Sequence, residues 1–148
     1  MSYTSNKVID ISKYPKYSIL FSCLDDMHIW IQKYGLDYAL NCLLVKGHIG
    51  NNDGYPWELA RWSEHYMAED KEENEFDDKM IPNVAPDDYL AWADPWFFDD
   101  YWGIYTEAEV RQALSRMTEY WILNNPERRR EYIEILNKYD IKLWHTVR

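Results

Sequence analysis

Trp57-Glu58-Leu59-Ala60-Arg61-Trp62-Ser63-Glu64-His65-Tyr66-Met67 lies near the middle of the chain and can be read by its spacing. Leu59, Trp62, Tyr66 and Met67 recur at helical intervals, while Glu58, Arg61, Glu64 and Glu69 fall on the other side. That is the pattern of an amphipathic helix beginning at Pro56 or Trp57. With two helices upstream and two downstream, it makes the chain mainly α: a single-domain helical bundle of about five helices spanning residues 1–148.

Upstream, Ser22 with Asp25 approximates a capping box. Met27, Trp30, Ile31 and Tyr34 then form one expected buried face, and Gly35 ends the helix. A second helix over 37–46 carries Tyr38, Leu40, Cys42, Leu43 and Leu44, is apolar on most sides, and stops at Gly47. Ahead of them, Val8-Ile9-Asp10-Ile11 reads as a short strand, and Ser18-Ile19-Leu20-Phe21 as a second strand or a buried lead-in. Residues 50–56 read as a turn.

Downstream, 69–78 is an acidic loop in which eight of ten residues are charged. Pro82, Pro86 and Pro95 break the next stretch, and 86–92 reads as a single helical turn. Thr106-Glu107-Ala108-Glu109 matches a capping box, and Val110, Ala113, Leu114, Met117, Tyr120 and Trp121 keep the helical period to Asn124. Asn125 caps a last helix with Pro126 in its first position. The tail from Ile141 to Val147 alternates as a strand would and could pair with Val8–Ile11, adding a small two-stranded β element from the termini.

The charge is lopsided. Sixteen of the 26 acidic residues lie between Glu58 and Glu109, against Arg61, Lys71 and Lys79, so this segment carries 3 minus 16, or −13. The remainder is 13 minus 10, or +3, and the whole chain is −10. Such a field repels free nucleic acid and anionic membrane and suits a cationic protein. Cys23 and Cys42 do not form a disulfide framework and read as reduced, buried thiols. The first residues lack the apolar core of a signal peptide, and no apolar run is long enough to span a bilayer; a cytoplasmic protein is expected.

No nucleophile elbow, phosphate-binding loop, dinucleotide fingerprint or zinc-protease motif is present. His65 and Glu69 share a helical spacing but have no further ligand nearby, and Cys42 has no activating base in sequence. No metal or other cofactor is expected, nor catalysis. The candidate site is instead an aromatic–acid patch in which Asp87, Asp88, Asp94, Asp99 and Asp100 interleave with Tyr89, Trp92, Trp96, Tyr101 and Trp102. Aromatic rings anchor interfaces, and carboxylates beside them accept arginine. Arg128-Arg129-Arg130 competes for those acids, unless it pairs locally with Glu131 and Glu134.

The expected function is a small acidic binding protein, an immunity protein or antitoxin that neutralises a basic toxin such as a nuclease. The alternatives are an inhibitor that imitates a phosphate array, an enzyme with a carboxylate–histidine or metal-assisted site around His65 and Asp99-Asp100, and an adaptor domain whose acidity serves solubility.

Overall fold

The computed structural model describes residues 17–51, 57–64, 85–93 and 102–143. The chain starts there with helix α1, Ser18–Tyr34, and continues as α2, Leu36–Leu40, which widens into a π-helical turn, Asn41–Val45. Four strands follow: β1 His48–Asn51, β2 Trp57–Arg61, β3 Tyr89–Ala93 and β4 Trp102–Tyr105. Helix α3, Glu107–Asn124, and helix α4, Arg129–Lys138, are the last of the described elements, the latter entered through a 3-10 turn at Pro126–Arg128.

The strands form one antiparallel sheet in the order β1-β2-β3-β4. The chain is therefore mixed α/β, and the expected five-helix, all-α bundle is incorrect. The helix expected from residue 57 is strand β2, followed by a 3-10 turn at Trp62–Glu64; the helical turn expected over 86–92 is largely β3. The cause is burial. Trp57 to Ala60 and all of Tyr89–Ala93 are buried, so neither strand shows the polar/apolar alternation of a half-exposed sheet. Both strands also contain Leu and Ala, which favour helices in isolation; tertiary pairing overrides that preference.

Alternation sorts the strand residues onto two faces. Ile49, Trp57, Leu59, Tyr89, Ala91, Ala93 and Tyr105 join the helical residues in one core. Helix α1 supplies Leu20, Cys23, Leu24, Met27 and Ile31 to it and packs on β2, β3, β4 and α3. Full burial of a Leu or Met stabilises the fold by roughly 1.5–3 kcal/mol. The opposite face carries His48, Gly50, Glu58, Ala60, Leu90, Trp92, Trp102 and Ile104, as the register requires. Gly50 is needed there: a β-carbon on it would lie 2.6 Å from the carbonyl oxygen of Trp57.

Other expectations fare differently. Ser18–Phe21 is the first turn of α1 rather than a strand, and Ser22 is a buried residue inside that helix, not its cap. Gly35 ends α1, and the helix expected over 37–46 is present as α2 and its π turn. Thr106 forms the expected capping box, its side chain accepting from the Glu109 N–H while Glu109 accepts from Thr106 N–H. The other oxygen of Glu109 takes the Tyr17 hydroxyl at 2.6 Å, which ties the start of α1 to the start of α3. Ile141 and Leu143 are buried but form no strand. The strand expected at 8–11, the acidic loop at 69–78 and the tail from 144 lie outside the described residues. No helix of the described residues is long and apolar enough to cross a membrane.

Candidate functional site

Of the aromatic–acid patch expected over 87–102, the structure describes Asp87, Asp88, Tyr89, Trp92 and Trp102, and none of these three rings is fully exposed. Tyr89 is fully buried on β3, donates its hydroxyl to the Leu43 carbonyl at 3.0 Å, and lies under the Arg61 guanidinium at 5.6 Å. Trp92 is also buried. Trp102, directly opposite it on β4, is half-buried. Asp87 is exposed, and Asp88 is partly exposed with its carboxylate accepting the Ala85 N–H at 3.2 Å. Asp94, Trp96, Asp99, Asp100 and Tyr101 lie outside the described residues, as does His65.

Trp92 instead belongs to a polar cluster within the sheet. Its indole Nε1 donates to Glu58 Oε1 at 2.8 Å, and His48 Nε2 lies 2.6 Å from Glu58 Oε2. Glu58 is only 5% exposed, so its charge needs both partners. Its hydrogen bond raises the His48 pKa, against the smaller opposing effect of burial. This is a carboxylate–histidine pair, at residues the sequence pattern did not single out. No other hydrogen bond to His48 is seen among the described residues, and none of their His, Cys, Asp and Glu side chains gather into a group of three or more able to hold a metal. The pair secures β1 to β2.

Arg61, expected to face outward, is turned inward. It hydrogen-bonds the Leu44 carbonyl, supplying a donor to an otherwise open helix end, and pairs with Glu107 at 3.2 Å. Arg111 joins the same carboxylate at 3.3 Å. Asp37 takes Lys138 at 3.0 Å and the Tyr139 hydroxyl at 2.6 Å, which joins α2 to α4 and holds the carboxyl below its ordinary pKa.

Among the described residues, the exposed aromatic side chains lie along α1 and α2. Trp30 and Tyr34 stack with centroids 5.9 Å apart, and Tyr34 meets Tyr38 at 4.8 Å. Tyr34 is 57% and Tyr38 46% exposed. Trp30 and Tyr34 were expected in the buried face of α1; Met27 and Ile31 are buried, but Trp30 is half-buried and Tyr34 is at the surface. The steps from 30 to 34 to 38 are each four residues, the spacing that places side chains on one helical face. Gly35 lies between α1 and α2 at φ 95 and ψ 160, a conformation essentially restricted to glycine, and the ladder continues across it. Lys33 sits 5.8 Å from the Trp30 ring centroid, so one face of the ladder already receives a cation. Cys42, a further four residues on, is half-buried rather than part of the sealed core; Cys23 is fully buried, and both thiols are free.

Arg128, Arg129 and Arg130 are exposed. Arg128 pairs with Glu131 at 3.2 Å, while Arg129 and Arg130 form no ion pair among the described residues. The local pairing expected for this run is thus present at Arg128, and no docking onto an acidic segment is seen among the described residues.

No protein-family model, curated protein or solved structure matches the chain.

Proposed function

We propose that this chain is a protein-recognition domain that covers a cationic protein partner, as an immunity protein or antitoxin covers a basic toxin. Its contact surface is centred on Trp30, Tyr34 and Tyr38. The observation that carries the reading is the run of ring contacts from half-buried Trp30 to the exposed Tyr34 and Tyr38. Trp and Tyr are the residues most often found as binding anchors, and their stacking orders the rings before a partner arrives. A net charge of −10 favours a basic partner, and Lys33 over Trp30 illustrates how a partner's lysine or arginine could engage a ring face. The exposed Asp87 adds an acceptor at the corner before β3. Two free thiols suit a reducing compartment, and we place the protein in the cytoplasm.

The test compares two immobilised proteins in a lysate of the native host at low salt: wild type, and the double variant Tyr34→Ser with Tyr38→Ser. The reading expects wild type to retain one basic protein that elutes in high salt, and the folded double variant to lose it. Equal retention by both proteins, or retention of none by wild type, overturns it.

A further inference from the structure

A second feature lies away from the ladder. Where the C-terminal half of α1 meets the connection between α3 and α4, a cleft of about 150 Å³ is lined by His28, Ile31, Gln32, Asn125, Arg128 and Tyr132. Five of those six side chains carry hydrogen-bonding groups, and Ile31 is the only apolar one. The cleft has room for roughly five waters, or for one small polyatomic group in their place.

Its chemistry is one-sided. Arg128 brings a fixed cation with five N–H donors, Gln32 brings an amide, Asn125 an amide that already donates to the Trp121 carbonyl at 3.2 Å, and Tyr132 a hydroxyl. No acidic side chain among the described residues lines the cleft. The His28 ring is stacked on Trp121 with centroids 5.3 Å apart, which fixes its plane. Neither of its nitrogens hydrogen-bonds another described residue. Burial lowers the His28 pKa; Asp25 on its own helix opposes that shift, and Arg128 across the cleft adds to it. Arg128 spends one Nη on Glu131, an exposed pair that contributes little and can be exchanged for a better-held anion.

We infer that this cleft binds one small oxyanion, a phosphate or carboxylate group held by the Arg128 fork and by His28, with the amides completing the shell. Guanidinium and oxyanion match in geometry as well as charge. A bound anion would add to the counter-charge that Asp25 already gives His28 and offset Arg128, so binding and protonation of His28 favour each other.

The experiment follows the ring resonances of His28 by NMR, assigned with a His28→Gln variant, during separate titrations with inorganic phosphate and with acetate. Chloride at matched ionic strength is the reference. The inference expects a saturable shift with at least one of the two anions and a raised His28 pKa at saturation; which anion succeeds separates a phosphate site from a carboxylate site. Arg128→Gln should weaken binding roughly tenfold or more. Arg130→Gln, which removes an exposed cation outside the cleft, should leave it unchanged. No shift beyond the chloride reference with either anion would overturn the inference, as would equal losses in the Arg128 and Arg130 variants.

Discussion

Glu58 and Trp92 face each other across β2 and β3, with the indole Nε1 2.8 Å from Oε1, and His48 holds the second oxygen from β1. One buried carboxylate thus links three strands on the sheet face opposite the helices. Glu58→Ala leaves the Trp92 N–H buried without its acceptor and releases His48. A buried donor left unsatisfied costs about 1–3 kcal/mol. Glu58→Gln keeps an acceptor for the indole but loses the charge, and should cost less, about 1 kcal/mol. Urea unfolding of the two variants measures both values, and the order Ala above Gln is the expected result.

Three of the described groups, His48, Asp26 and His28, make stability depend on pH. The folded His48 has its pKa raised above 6.5, so its contribution is complete below 6.5 and is lost as pH rises through the folded value. Asp26 is raised from 3.8 to about 6 by burial and by the neighbouring Asp25 charge, so the fold binds its proton more tightly than the unfolded chain does. Stability from Asp26 therefore also falls with rising pH, between 3.8 and about 6. His28 acts in the other direction: its pKa is lowered, and stability is lost as pH falls below 6.5. Asp26→Asn should remove the fall between 3.8 and 6 and stabilise the protein at neutral pH by on the order of 1 kcal/mol, partial exposure having screened the full effect. Thermal unfolding across that range is the check.

Gly35 offers a separate test of the joint between α1 and α2. A β-carbon there would meet nothing within 4 Å, so any cost of Gly35→Ala is conformational. At φ 95 and ψ 160 that cost is about 1–3 kcal/mol. Because the ladder crosses this joint, the variant should also change the stacking of Tyr34 and Tyr38. Denaturant unfolding and near-ultraviolet circular dichroism read the two effects.

The helices were legible in the sequence where a cap or a stop marks them. Thr106 and Glu109, Gly35 and Gly47 stand at or beside the helix ends they announce. Asn125 with Pro126 opens the 3-10 turn ahead of α4 and gives no side-chain cap to that helix, whose N-cap is Arg128. Thr106→Ala should cost about 1 kcal/mol, as loss of an N-cap usually does. The sheet was not legible, because burial on both faces of β2 and β3 erases period-two alternation, and because a buried Glu58 looks like the outer face of a helix. The burial of two rings of the aromatic–acid patch was hidden for a related reason. Tyr89 and Trp92 sit three residues apart, a spacing that suits a helix face, but on a strand they point to opposite faces, and both faces are covered. The Trp30–Tyr34–Tyr38 spacing was visible, but helical periodicity identifies a shared face without saying whether that face meets the core or solvent.

Exposure separates the rings that support the fold from those assigned to recognition. Tyr34→Ser and Tyr38→Ser remove half-exposed rings and their mutual contact and should cost about 1 kcal/mol each. Tyr89→Ala empties a fully buried position and should cost about 3–5 kcal/mol. Chemical unfolding of the three variants should place Tyr89 far apart from the other two.

Site-specific photocrosslinking tests the recognition surface most directly. A benzophenone side chain is placed at Tyr38 in one protein and, as a reference, at the exposed Leu123 of α3 in another. Both are irradiated in native-host lysate at low salt. The account expects one adduct with a basic protein from position 38, suppressed by high salt and missing from position 123. The same adducts from both positions, or none from position 38 while the protein retains a partner, would contradict it.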